Sequence, residues 1–145
     1  MRIELVSKLV GDYVVNSKYI YRYSEVKEAL ESERCKNIIK HFGGLPIYSI
    51  PEPMTFVFSL DKLTPDLIVG YCTSIDIENG YAEVTRSDTE LGKSFTEEQL
   101  NDCKLGFLAI AKKDEDQSRF AKYDHELYSV NCIYALQLLA KGRCL

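Results

Sequence analysis

Tryptophan is absent from this chain, and histidine occurs only twice, at His41 and His125. The scarcity of imidazole narrows the available chemistry, because nucleophilic catalysis needs a thiol or hydroxyl, a base within reach and a group that orients the base. His125 stands between Asp124 and Glu126, and in a strand both acidic neighbours point to the opposite face. Cys132, seven residues further on, falls on the face opposite His125 in a regular strand. Cys35 and His41, six apart, lie far around a helix from one another. Only a helix in place of that strand would bring His125 and Cys132 onto one face, so a catalytic pair depends on the less favoured secondary structure.

Short-spaced cysteine pairs are also missing. The five cysteines, Cys35, Cys72, Cys103, Cys132 and Cys144, are scattered and odd in number, so neither a disulfide framework nor a paired-ligand zinc site is expected. Reduced thiols and a cytoplasmic location are the expectation, since Glu4 and Lys8 interrupt the first ten residues where a secretory segment would be apolar. No run of eighteen apolar residues offers a transmembrane helix.

Basic charge is in deficit, with 18 Lys and Arg against 22 Asp and Glu for a net charge of −4. The longest basic run, Lys112-Lys113, is followed at once by Asp114, Glu115 and Asp116. Gripping a duplex needs several phosphates neutralised together, so nucleic acid is a disfavoured partner. A glycine-rich nucleotide loop is lacking too. Gly43-Gly44 has no strand before it and no helix after it, and Gly92-Lys93-Ser94 has Ser87 where a phosphate loop requires the upstream glycine. No cofactor is implied.

What the chain does contain is sheet-forming sequence and tyrosine, ten in all. At 145 residues it is long enough to bury a core without a metal or disulfide staple, and residues 1–145 read as a single domain. The firmest local signal is 66–85. Two β-prone runs meet there at Asn79-Gly80, which suits a two-residue hairpin turn. Leu67, Val69, Tyr71, Thr73, Ile75 and Ile77 form one period-2 set in the first arm, and Ala82 and Val84 share a face in the second.

Elsewhere, 2–6 and 13–15 read as short strands flanking Gly11-Asp12. A helix is expected over about 25–41, capped by Ser24, carrying an apolar stripe interrupted at Glu31 to Arg34 and ended by Gly43-Gly44, its polar middle being an exposed turn or the junction of two shorter helices. Leu45 to Pro53 holds three prolines and reads as an edge or connector rather than a central strand. Thr55 to Leu60 is strongly β-prone. Residues 86–95 read as a surface loop, and Thr96 with Gln99 opens a short helix over about 96–101 through a capping box. Leu105 to Ala111 reads as a buried strand. Residues 126–136 alternate as a strand, with a packed helix over 123–140 as the competing pattern. The fold class is α+β, mostly antiparallel sheet with one main helix and one short one.

Two constellations are candidates for contact or chemistry. Tyr19, Tyr21 and Tyr23 alternate with Ile20 and Arg22, placing three phenols on one face of an extended segment, where Tyr19, Tyr21, Arg22 and Tyr23 can meet a partner or ligand. Carboxylates Asp61, Asp66, Asp76, Glu78, Glu83, Asp88 and Glu90 surround the central hairpin, and Asp76 facing Glu83 across it could hold a divalent cation. Acid–base catalysis needs at least one carboxyl with a shifted pKa in a cleft. Sparse catalytic motifs together with abundant tyrosine favour a non-catalytic interaction or assembly protein, working through an exposed sheet edge, a tyrosine-rich surface or a loop. Its partner is another protein or a second copy. The alternatives are a small-ligand or nucleotide binder and a carboxylate-dependent enzyme. Size and composition are compatible with an accessory or structural protein of a virus or phage.

Overall fold

The computed structural model describes residues 1–16, 19–49, 63–113 and 126–140. Nine strands make one sheet: β1 (Arg2–Glu4), β2 (Lys8–Val10), β3 (Tyr13–Asn16), β4 (Tyr19–Arg22), β5 (Leu45–Ser49), β6 (Ile68–Asp76), β7 (Tyr81–Arg86), β8 (Cys103–Lys113) and β9 (Glu126–Ala140). Among the described residues four α-helices join them: α1 (Tyr23–Leu30), α2 (Glu33–Phe42), α3 (Glu90–Ser94) and α4 (Glu97–Asn101). Most pairings are antiparallel, and the expected α+β class holds.

The long strand β9 organises the sheet. It is a strand and not the competing helix, and one edge runs antiparallel to β8 from Tyr128 to Ala140. Its other edge pairs in parallel with β4 through Leu127 and Tyr128, and again with β5 at Leu136 to Leu138. Between those two ladders its edge faces the helices. Glu25 of α1 accepts a hydrogen bond there from the Val130 backbone N–H at 3.3 Å, and Arg34 of α2 donates to the Tyr134 hydroxyl at 2.8 Å. A backbone donor that the strands leave over is thus met by a helix carboxylate.

From β5 the sheet continues through β6 and β7 to β1. Its far end then returns towards β8 by one parallel bridge, Leu5 to Leu105, with Val6 N–H donating to Leu105 O at 2.7 Å. This meeting is a seam rather than a ladder. Ile3, Leu5, Ala82, Val84, Leu105, Phe107 and Leu136 are buried around it in the main core. On the other branch, β4, β3 and β2 continue outward, and β2 has no strand on its outer edge among the described residues.

Several expectations need correction. The helix over 25–41 is two helices, because Ser32 leaves the helical conformation and its hydroxyl accepts from Cys35 N–H at 3.2 Å as the N-cap of α2. Ser24 is not a cap: α1 begins two residues earlier than expected, at Tyr23, after Arg22. Gly43 does end α2, with φ 80°. β5 lies inside the sheet between β6 and β9, contrary to the edge reading. Pro46 is tolerated because pairing with β9 starts after it, at Ile47. Pro51, Pro53 and the β-prone Thr55 to Leu60 lie outside the described residues.

The central hairpin is present, but its turn has four residues, 77–80, between the last pair Asp76↔Tyr81. Its first arm does not alternate throughout, since a bulge between Cys72 and Ser74 reverses the faces. Cys72 is buried and Thr73 exposed as a result. The 86–95 stretch is also more ordered than a loop. Thr89 caps α3 by accepting from Gly92 N–H at 3.0 Å, and Ser87 is buried with its hydroxyl donating to Ile68 O at 3.0 Å. The α4 capping box forms as expected, Thr96 and Gln99 each satisfying the other's backbone N–H.

Candidate functional site

Tyr23 stands where β4 becomes α1, and this junction breaks the tyrosine ladder. Tyr19 opens β4 opposite Glu126, whereas Tyr21 points inward and is 1% exposed in the core. Tyr21 is therefore withdrawn from the surface on which the ladder was expected to present it. Arg22 and Tyr23 remain at the surface. Arg22 reaches Glu25 at 3.7 Å, and Arg22 and Tyr23 line a cavity of about 460 Å³ with Asp12, Tyr13, Ser24 and Lys27.

A second cavity, of about 710 Å³, adjoins the first and shares Tyr23 and Lys27 with it. Its floor is apolar, from Leu30, Ile75 and Ile77, and its rim is acidic, from Glu31, Asp76, Glu78 and Glu83. The two hairpin ends thus flank one trough along α1, with Asp12 and Tyr13 beside β3 and 77–80 between β6 and β7. Arg22 sits at the first end with Asp12, four carboxylates sit at the second, and Lys27 and Tyr23 stand between them.

Hydrogen bonds fix the acidic end. Asp76 accepts from the Asn79 side-chain amide at 2.7 Å and from Asn79 N–H at 3.0 Å, and these bonds hold its carboxyl below the usual carboxylate range. Glu83 accepts from Arg2 Nε at 2.9 Å, and that bond with the Arg2 charge lowers its pKa as well. The Arg2 guanidinium also lies over the Tyr81 ring, 4.1 Å from its centre. Tyr23 donates its phenol to Glu78 at 3.2 Å, and Lys27 Nζ stands 5.4 Å from the Tyr23 ring centre.

Asp76 and Glu83 are not opposite one another. Asp76 pairs with Tyr81 and Glu83 with Ser74, so the expected cation pair does not form. Among the described residues, no group of three Cys, His, Asp or Glu is placed to hold a metal. Three thiols are withdrawn: Cys35, Cys72 and Cys132 are buried, and burial pushes the Cys72 thiol up to about 12 and Cys35 upward, while the half-buried Cys103 is also pushed upward by burial. A thiol that keeps its proton is a poor nucleophile. His41 is exposed and packs edge-on against Phe42 at 4.7 Å, while His125 lies outside the described residues. Gly92-Lys93-Ser94 belongs to α3, with Gly92 enclosed against Ser87.

Sequence reasoning missed Arg2, Lys27 and Tyr81. Arg2 and Glu83 are cross-strand partners 81 positions apart, so a charge match between the first and seventh strands was the available signal. No helix among the described residues is long and apolar enough to cross a membrane. No family model, curated protein or solved structure matches this chain.

Proposed function

We propose that this is a non-catalytic interaction or assembly protein that engages another protein chain through the trough along α1. The observation that carries the reading is the pair of adjoining cavities that share Tyr23 and Lys27, open on one side and lined by rings, aliphatic side chains and carboxylates. Partly exposed tyrosines supply large contact area at low entropic cost. Acid–base catalysis is the poorer fit to the same residues. A general acid needs a carboxyl raised toward neutral pH, and Asp76 and Glu83 are both shifted the other way.

The test places a photocrosslinking amino acid at Lys27 in the trough and, separately, at Glu97 on α4. A defined protein crosslinked from position 27 and not from 97 is the expected result, with light scattering telling a second copy from a different chain. A partner crosslinked from 97 alone, or none from 27, overturns the reading.

A further inference from the structure

Resting on that reading, we infer that the acidic end of the trough recognises an arginine side chain of the partner segment. The protein already displays the recognition unit with its own arginine. Arg2 lies with its guanidinium 4.1 Å from the Tyr81 ring centre while its Nε donates to Glu83 at 2.9 Å, a ring and a carboxylate serving one guanidinium. Planar guanidinium suits that combination, because it stacks by its face and donates from its edge.

A second unit of the same composition lines the same cavity. Tyr23 and Glu78 are joined by the phenol hydrogen bond of 3.2 Å, and both face the space between α1 and the 77–80 turn. Lys27 approaches this ring at 5.4 Å, farther than Arg2 approaches its own. An incoming guanidinium that stacks on Tyr23 and donates to Glu78 repeats the Arg2 arrangement, and its stem lies against Ile75 and Ile77. Charge favours it: Glu31, Asp76 and Glu78 line the cavity beside the cation Lys27, while Glu83 is already paired with Arg2 at 2.9 Å and with the N-terminal ammonium at 3.8 Å. Carboxylates left around a bound cation also reject an acidic segment.

Short capped peptides of one length, carrying arginine, lysine, glutamine or glutamate at a central position, are titrated into the full chain and followed by NMR. The arginine peptide is expected to shift α1 and 77–80 resonances and to bind about fivefold tighter than the lysine peptide and at least about tenfold tighter than the glutamine one. The glutamate peptide should not bind. Glu78→Gln keeps shape and removes charge, and Tyr23→Leu removes the ring; each should weaken the arginine peptide about tenfold. Glu97→Gln, on α4, should leave it unchanged, separating recognition from general attraction to an acidic protein.

Equal binding of arginine and glutamine peptides overturns the inference, as does an unaltered affinity in both Glu78→Gln and Tyr23→Leu. Crosslinking from position 27 stands apart from this result. A partner captured there with no arginine selectivity ends the inference and leaves the interaction reading in place.

Discussion

The hairpin of β2 and β3 turns through two residues, Gly11-Asp12, between the pair Val10↔Tyr13, whereas β6 and β7 are joined by the four residues 77–80. Gly11 has φ 61° and stands first in its turn, the position where a two-residue hairpin calls for glycine. Asn79-Gly80 is chemically the better two-residue turn by sequence, yet it is the one that is not used. The two turns differ in burial. Ile77 is 6% exposed and belongs to the main core, while Val10 beside the first turn is 60% exposed. A two-residue turn at Asn79-Gly80 would place Ile77 opposite the buried Ala82. Ending the ladder at Asp76 gives that place to Ile75 and leaves Ile77, within the turn, packed in the main core as well.

Polar bonds then complete the longer turn. Gly80 N–H donates to Asp76 O at 2.9 Å, the Asp76 carboxylate takes both Asn79 donors, and Gly80 O accepts from Leu5 N–H at 2.8 Å. Local chemistry sets the turn whose neighbours are in water, and packing sets the turn that has an apolar residue to bury.

The sharpest way to break this comparison is to remove the buried side chain. Ile77→Ala should destabilise by about 3 kcal/mol, the range for truncating an enclosed aliphatic residue, and Val10→Ala should stay within about 0.5 kcal/mol. Urea unfolding followed by circular dichroism measures both. Equal losses at the two positions would show that Ile77 does not decide the turn.

Glycines give the next largest effect, and they differ in kind. A Cβ on Gly70 in β6 would stand 2.5 Å from Thr85 O, so the β6 and β7 backbones must part, whereas a Cβ on Gly11 meets nothing within 4 Å and is opposed by φ alone. Gly70→Ala should cost about 2 kcal/mol as overpacking, and Gly11→Ala about 1 kcal/mol as left-handed strain. Hydrogen exchange sharpens the distinction: the Gly70 change should loosen β6 and β7 amides, and the Gly11 change those of β2 and β3 alone.

Legibility in the sequence follows the same division. The α4 capping box, the Gly43 end of α2 and the strand character of β8 and β9 were all readable, because each depends on neighbours within a few positions. The break at Ser32 was harder to read, since Glu31 to Arg34 fits one exposed helical face as well as a junction. β5 was misplaced because the proline rule concerns unpaired donors, and only the sheet order reveals that pairing with β9 starts beyond Pro46. The candidate site was half legible. Tyr23 and Glu78 were singled out separately, but nothing local brings them to 3.2 Å, and Tyr21 took the inward position that alternation with Tyr19 and Tyr23 had concealed.

The smallest effect concerns the charge that locks the longer turn. Asp76 has its pKa lowered first by the Asn79 side-chain amide and then by Asn79 N–H. A carboxyl whose folded pKa is depressed stabilises the fold above its unfolded value, and that contribution is lost as pH falls through the folded one. The 77–80 turn should therefore loosen in acid, at a pH below the ordinary carboxylate range. Asn79→Ala removes the larger of the two causes and leaves the backbone donor, so Asp76 should titrate closer to the ordinary value without reaching it. Carboxyl NMR titration of both proteins reads the shift directly. If Asp76 titrates identically in the two, the amide contributes nothing, and the four-residue turn rests on the burial of Ile77, the Asn79 N–H bond to Asp76 and the Gly80 backbone bonds.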